Sequence, residues 1–162
     1  VTLDWLVAFH ERLRSSPDYP GDNVVRTSDV VFSLIMRVTE GPKCRLFNMV
    51  PPEETGRPDA FISHAWGRPF AEMVRNLKSH YLYGHDKEAG RVCVWLDIVA
   101  VNQHEGQEQM DDLKQLAAAV HDARSVLVSM DPEASPFSRI WCLYEISLAS
   151  SGGDEQQHTT RT

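Results

Sequence analysis

Three short apolar runs, each followed by a helical pattern, constrain this chain's fold more than any other feature. They are Ala60-Phe61-Ile62, Val92-Cys93-Val94-Trp95-Leu96 and the stretch from Ser125 to Ser129. The second is continuous rather than alternating, which suits a strand buried on both faces of a parallel sheet. After the first run, Phe70, Met73, Val74, Leu77 and Tyr81 recur at helical spacing. After the second come Met110, Leu113, Leu116, Ala117 and Val120. Both sets read as amphipathic helices. Ser135-Pro136 opens a further helix, through about Leu148, with a cap and a proline at the first helical position. Its inward face is expected to carry Ile140, Leu143, Tyr144 and Leu148. The alternation predicts an α/β fold, a parallel sheet with right-handed crossovers and helices on both faces.

The residues before this alternation are organised differently. Leu3, Leu6, Phe9 and Leu13 mark an amphipathic helix over 3–14. Thr27 or Ser28 is expected to cap a second one, with Val30, Val31, Leu34, Ile35 and Val38 on its apolar face and Gly41-Pro42 as its stop. Cys44 to Val50 reads as a short strand, and Pro51 to Pro58 as a polar loop. Segment 1–58 is therefore expected to be helical with an added strand, segment 59–149 to be the α/β domain, and the polar tail 150–162 to be disordered. The chain has 162 residues and begins at Val1 rather than Met. A fragment of a longer protein is one expectation.

The formal net charge is −7, with no run of Lys and Arg. A surface that tracks nucleic-acid phosphates is not expected. Cys44, Cys93 and Cys142 are too few and too scattered for a disulfide framework, which points to a reducing, cytoplasmic setting. No apolar stretch nears the ~20 residues that cross a bilayer, so no membrane segment is expected.

In open parallel sheets, ligands bind beyond the carboxyl ends of the strands. That rule selects three segments. Ser63-His64-Ala65-Trp66-Gly67 could bind a ribose or stack a base; equally, Ser63 could cap the next helix while Trp66 packs on the sheet. Asp97, with Asn102-Gln103-His104 after it, could meet a ligand or hold its own loop through backbone N–H groups. A metal set of His64, Asp97 and His104 fits no compact ligand spacing, and no metal is assigned. In Trp141-Cys142-Leu143-Tyr144-Glu145, Trp141 and Glu145 are neighbours on one helix face. There the indole could desolvate the carboxylate and raise its pKa, or Glu145 could be a surface residue beside a packed Trp.

Taken together, these segments resemble the TIR (Toll/interleukin-1 receptor) family. Asp59-Ala60-Phe61-Ile62-Ser63-His64 is similar to its first strand, Val92 to Asp97 to its second, and Ser125 to Ser129 to its third. The stretch from Ile98 to Gln109 stands where the family has its BB loop. Ser138-Arg139-Ile140-Trp141-Cys142-Leu143-Tyr144-Glu145 resembles the Trp-Cys-Leu-x-Glu helix start of plant-type members, and the wider phrasing resembles TIR-like proteins of algae and protists. The resemblance covers about residues 59–149. Complete members continue through two more strands and helices. Either the fold is incomplete at its C-terminus, or segment 1–58 supplies the missing sheet and cover.

The resemblance implies hydrolysis of NAD⁺ at its nicotinamide glycosidic bond, with Glu145 as the catalytic residue. Ser63, His64, Trp66, Asp97, Asn102 and Trp141 are then the expected substrate-binding residues. NAD⁺ or a related nucleotide is the expected ligand, as substrate rather than cofactor, and no cofactor is assigned. Family members also self-associate. A non-catalytic interaction module and a nucleotide sensor without turnover are the alternative expectations.

Overall fold

The protein is described by a computed structural model covering residues 1–83 and 91–151. Its centre is a parallel sheet of three strands, β1 (Ala60–Ser63), β2 (Val94–Trp95) and β3 (Ser125–Val128), in the order β2-β1-β3. The expected α/β architecture is the one found. Ala60 pairs with Val94 and Ser125, and Phe61 pairs with Trp95 and Val126. All four residues of β1 are buried, as a central strand covered on both faces requires.

Alternation along β1 separates two packed layers. Ala60 and Ile62 face a large core built with α1 (Leu3–Arg14) and α4 (Phe70–Tyr83), through Leu3, Leu6, Phe70, Met73, Val74 and Leu77. Phe61 faces the other way, against Leu116 and Val120 of α7 (Leu116–Asp122) and Leu148 of α8 (Ile140–Ser151). The Phe61 and Trp95 rings stack at 4.5 Å on this second face. Because they are register partners on adjacent strands, the pairing itself brings them together.

The residues before β1 belong to the same core. Val1, Leu3, Leu6, Val30, Val31 and Ile35 all pack into it. The Thr2 hydroxyl caps α1 by accepting from the Trp5 N–H at 3.1 Å. Residues 1–3 also run antiparallel beside β2: the Val94 N–H donates to the Val1 carbonyl at 2.7 Å, and the Leu3 N–H to the Val92 carbonyl at 2.8 Å. Backbone groups at this edge of the sheet are thereby satisfied.

Several expectations are corrected. Cys44 to Val50 is not a strand; Leu46–Met49 forms a 3₁₀ turn that points Leu46 into the core. The second helix is not uniform: α2 (Thr27–Val30) passes through a π-helical turn (Val31–Ile35) into α3 (Met36–Val38). Its cap is neither Thr27 nor Ser28, because the Asp29 carboxylate reaches back to accept from the Arg26 N–H at 2.9 Å. The residues after β2 start as a short helix, α5 (Asp97–Ala100). The helix expected over 110–120 breaks at Gln115 into α6 (Gln107–Lys114) and α7, leaving Met110 exposed.

In α8 the expected face is largely reversed. Ile140, Leu143 and Tyr144 are exposed, Cys142 and Glu145 are buried, and only Leu148 packs inward as expected. Residues 150 and 151 belong to this helix, and the rest of the expected disordered tail lies outside the described residues. Among the described residues, no helix is long and apolar enough to cross a membrane.

Candidate functional site

β1 ends in Ser63, and the chain leaves the sheet through His64, Ala65 and Trp66. The start of α2 fixes this exit: the Ser28 N–H donates to the Trp66 carbonyl and the Thr27 N–H to the Arg68 carbonyl, both at 3.0 Å. β2 ends at Trp95, two residues before Asp97. The 3₁₀ turn Ser135–Ser138 then delivers α8 across the same end of the sheet. Where the three meet lies a cavity of about 280 Å³, lined among others by His64, Trp66, Asp97, Arg139, Trp141, Cys142 and Glu145.

Asp97 is held from two directions. Its Oδ2 accepts from the Trp66 indole N–H at 2.7 Å, and its Oδ1 from the Ile98 N–H at 2.7 Å. The second bond is the loop-holding role open to this residue from sequence, and the first orients a wall of the cavity. His64 Nδ1 lies 3.9 Å from Asp97 Oδ1. Burial nevertheless pushes the imidazole pKa down, with the Asp97 charge opposing and Arg139 reinforcing that shift. His64 is therefore neutral, and its buried Nε2 has no hydrogen-bond partner.

Glu145 is 7% exposed. Its carboxyl pKa is pushed up to about 7, first by desolvation and further by the Asp97 charge. The Ser63 hydroxyl beside it acts the other way, although Ser63 Oγ completes no hydrogen bond. The Cys142 thiol is pushed up by burial and donates to the His64 carbonyl at 3.4 Å, so it is a packing group rather than a nucleophile. Trp141 is 53% exposed and walls the mouth of the cavity.

Of the residues expected at the site, His64, Trp66, Asp97, Trp141 and Glu145 come together as cavity lining. Ser63 lies behind them. Asn102 does not belong: its amide donates to the Lys43 carbonyl at 2.7 Å and to Glu108 at 2.8 Å, and its Oδ1 accepts from the His104 N–H at 3.0 Å. With the Asn102 N–H on Asp112 at 2.8 Å as well, its polar groups are all engaged in holding the loop. His104 is also elsewhere, against Thr39 at 2.9 Å and Glu40 at 3.5 Å, which breaks the metal set of His64, Asp97 and His104. Among the described residues, no group of three such side chains is arranged to hold a metal ion.

Sequence reading missed Arg139, Gln103 and Gln109 as lining residues. A signal existed for the first: Arg139, Cys142 and Glu145 recur every third residue, a single stripe on a helix. Seeking apolar residues to bury hid that polar stripe.

The chemical character of the cavity follows. Two carboxylates give it a negative interior, two indoles give it flat apolar walls, and one guanidinium gives it a positive point at the rim. A cationic or electron-poor ring fits the first two features, and Glu145 can serve as a proton acceptor or an electrostatic stabiliser near neutral pH. Compared with family models, with curated proteins and with solved structures, the chain matches none of them.

Proposed function

We propose that this protein is a cytoplasmic TIR-like enzyme that hydrolyses the nicotinamide glycosidic bond of NAD⁺ in signalling. The products are nicotinamide and ADP-ribose, or a cyclic form of the latter. The observation that carries this reading is Glu145, a carboxyl buried in a cavity walled by tryptophans and titrating near neutrality. It stands on a helix whose exposed side would have held it in water at no cost. Burial of such a group without a salt-bridge partner is the pattern of a functional carboxylate.

The chemistry needs little else. The pyridinium of the substrate stacks on Trp66 or Trp141, where an indole face attracts a cation. As the C1′–N bond lengthens, its electron pair leaves with nicotinamide and positive charge grows on the ribose. Ionised Glu145, in a cavity of low dielectric, stabilises that charge more strongly than the ground state. Water then adds at C1′ and gives its proton to the carboxylate, which returns it to solvent. Asp97, locked by Trp66 and the Ile98 N–H, keeps the cavity negative throughout. Incubation with NAD⁺ at high protein concentration, with nicotinamide measured by chromatography, tests the reading. Release that survives Glu145→Ala would overturn it.

A second reading, a non-catalytic module that works by self-association, is favoured by one observation. Phe137, Ile140, Leu143 and Tyr144 expose apolar surface together, Ile140 to 80%. Contiguous apolar surface of this kind marks interaction sites. A monomer at every concentration in light scattering would count against it.

A further inference from the structure

Among the described residues, Arg139 is the only lysine or arginine lining the Glu145 cavity. Three other arginines around the sheet are paired. Arg45 faces Asp112, Arg68 faces Asp131 and Glu133, and Arg124 faces Asp59. Arg139 forms no side-chain hydrogen bond or ion pair among the described residues, although Glu145 and Asp97 line the same space. Its backbone is fixed, since its carbonyl accepts from the Leu143 N–H at 3.0 Å and its N–H donates to the Pro136 carbonyl at 3.2 Å. The Arg139 backbone thus stands at a defined place on the rim, directly before α8 and six residues before Glu145, with the guanidinium's donor fork unused.

A planar fork of N–H donors matches the paired oxygens of a phosphate or a carboxylate, and of these a nucleotide carries the phosphate. The adjoining wall carries a second unused group, the buried and neutral His64 imidazole with an unpartnered Nε2. At about 280 Å³ the cavity is at the small end for ligand pockets, so it holds one end of a larger molecule. Such an end would set a ribose at Glu145 and an anion at Arg139.

We propose that Arg139 is the phosphate ligand of this cavity, and that the substrate class is ribosyl phosphates rather than free ribosides. The assignment rests on reading Glu145 as the ribose-facing carboxylate. The rest of a dinucleotide leaves the cavity past Arg139 into solvent.

The test uses two compounds that differ only in a phosphate, nicotinamide mononucleotide and nicotinamide riboside. Binding is read from quenching of tryptophan fluorescence, and cleavage separately as nicotinamide release. Wild type is expected to bind the mononucleotide about tenfold more tightly than the riboside, an advantage that added salt erodes. In Arg139→Gln the advantage is expected to vanish while riboside binding stays the same; Arg139→Lys is expected to keep part of it. An advantage that persists in Arg139→Gln, or is absent from wild type, overturns the assignment. If binding depends on Arg139 and no nicotinamide is released, the hydrolase reading fails and the phosphate assignment stands.

Discussion

Two buried polar clusters lie in the loops around this sheet, and they differ in one respect. Around Asn102 the polar side chains are matched: the Asn102 amide, its N–H, the His104 ring, Thr39 and the Arg45–Asp112 pair all have partners. Around Glu145 they are not. Ser63 Oγ and His64 Nε2 are buried without hydrogen bonds, Glu145 carries a desolvated carboxyl, and Arg139 has no counter-ion among the described residues. A buried polar group without a partner costs free energy, so a native structure keeps it where something else requires it. Matched groups hold a loop; the unmatched ones beside Glu145 leave polar capacity facing a cavity.

The difference can be broken most directly at its structural half. Asn102→Ala strips partners from the Lys43 carbonyl, Glu108 and the His104 N–H together. A loss on the order of 3 kcal/mol is expected in denaturant unfolding. A loss below about 1 kcal/mol would mean that Asn102 does not hold the loop.

At the other half, Glu145 should cost stability rather than provide it. Its folded pKa is raised from 4.5 to about 7. The folded state therefore keeps a proton that the unfolded chain releases. Stability is fully present below pH 4.5 and falls as pH rises through about 7. The fall is on the order of 3 kcal/mol. Glu145→Gln keeps the shape without the charge, so it is expected to be more stable than wild type at pH 8 and about equal at pH 4. Thermal unfolding at the two pH values measures this, and an equal stability gap at both would contradict it. For turnover, the same titration predicts activity that rises with pH toward a plateau above 7.

The smallest effect sharpens the comparison. Ser63→Ala removes a hydroxyl that meets Glu145 only weakly, without a well-formed hydrogen bond. Stability is expected to stay within about 1 kcal/mol of wild type, in contrast to Asn102→Ala. The Glu145 pKa is expected to move up, because the one group opposing its shift is gone. A pH–stability midpoint that does not move would separate Ser63 from the site.

Much of the fold is legible in the sequence because it is written in apolar residues. The runs at Ala60, Val92 and Ser125, and the stripe from Phe70 to Tyr81, specify strands and helix through burial alone. Features decided by polar atoms are less legible. Leu46 and Val50 are both buried, but a 3₁₀ turn brings them inward as well as a strand would. Asn102 in the loop that follows a strand looks the same whether it meets a ligand or braces a loop; only its four partners decide. In α8 hydropathy points Ile140, Leu143 and Tyr144 inward, whereas the structure buries Cys142 and Glu145 and exposes those three. Local hydropathy is overruled there, a conflict of the kind that accompanies functional sites.

The most direct test of the central claim is nicotinamide release from NAD⁺ by wild type and by Glu145→Gln, side by side at pH 8, with both shown folded. Release by wild type alone is the expected result. Release by both, or by neither, would contradict the assignment of Glu145 as the catalytic carboxylate of an NAD⁺ hydrolase.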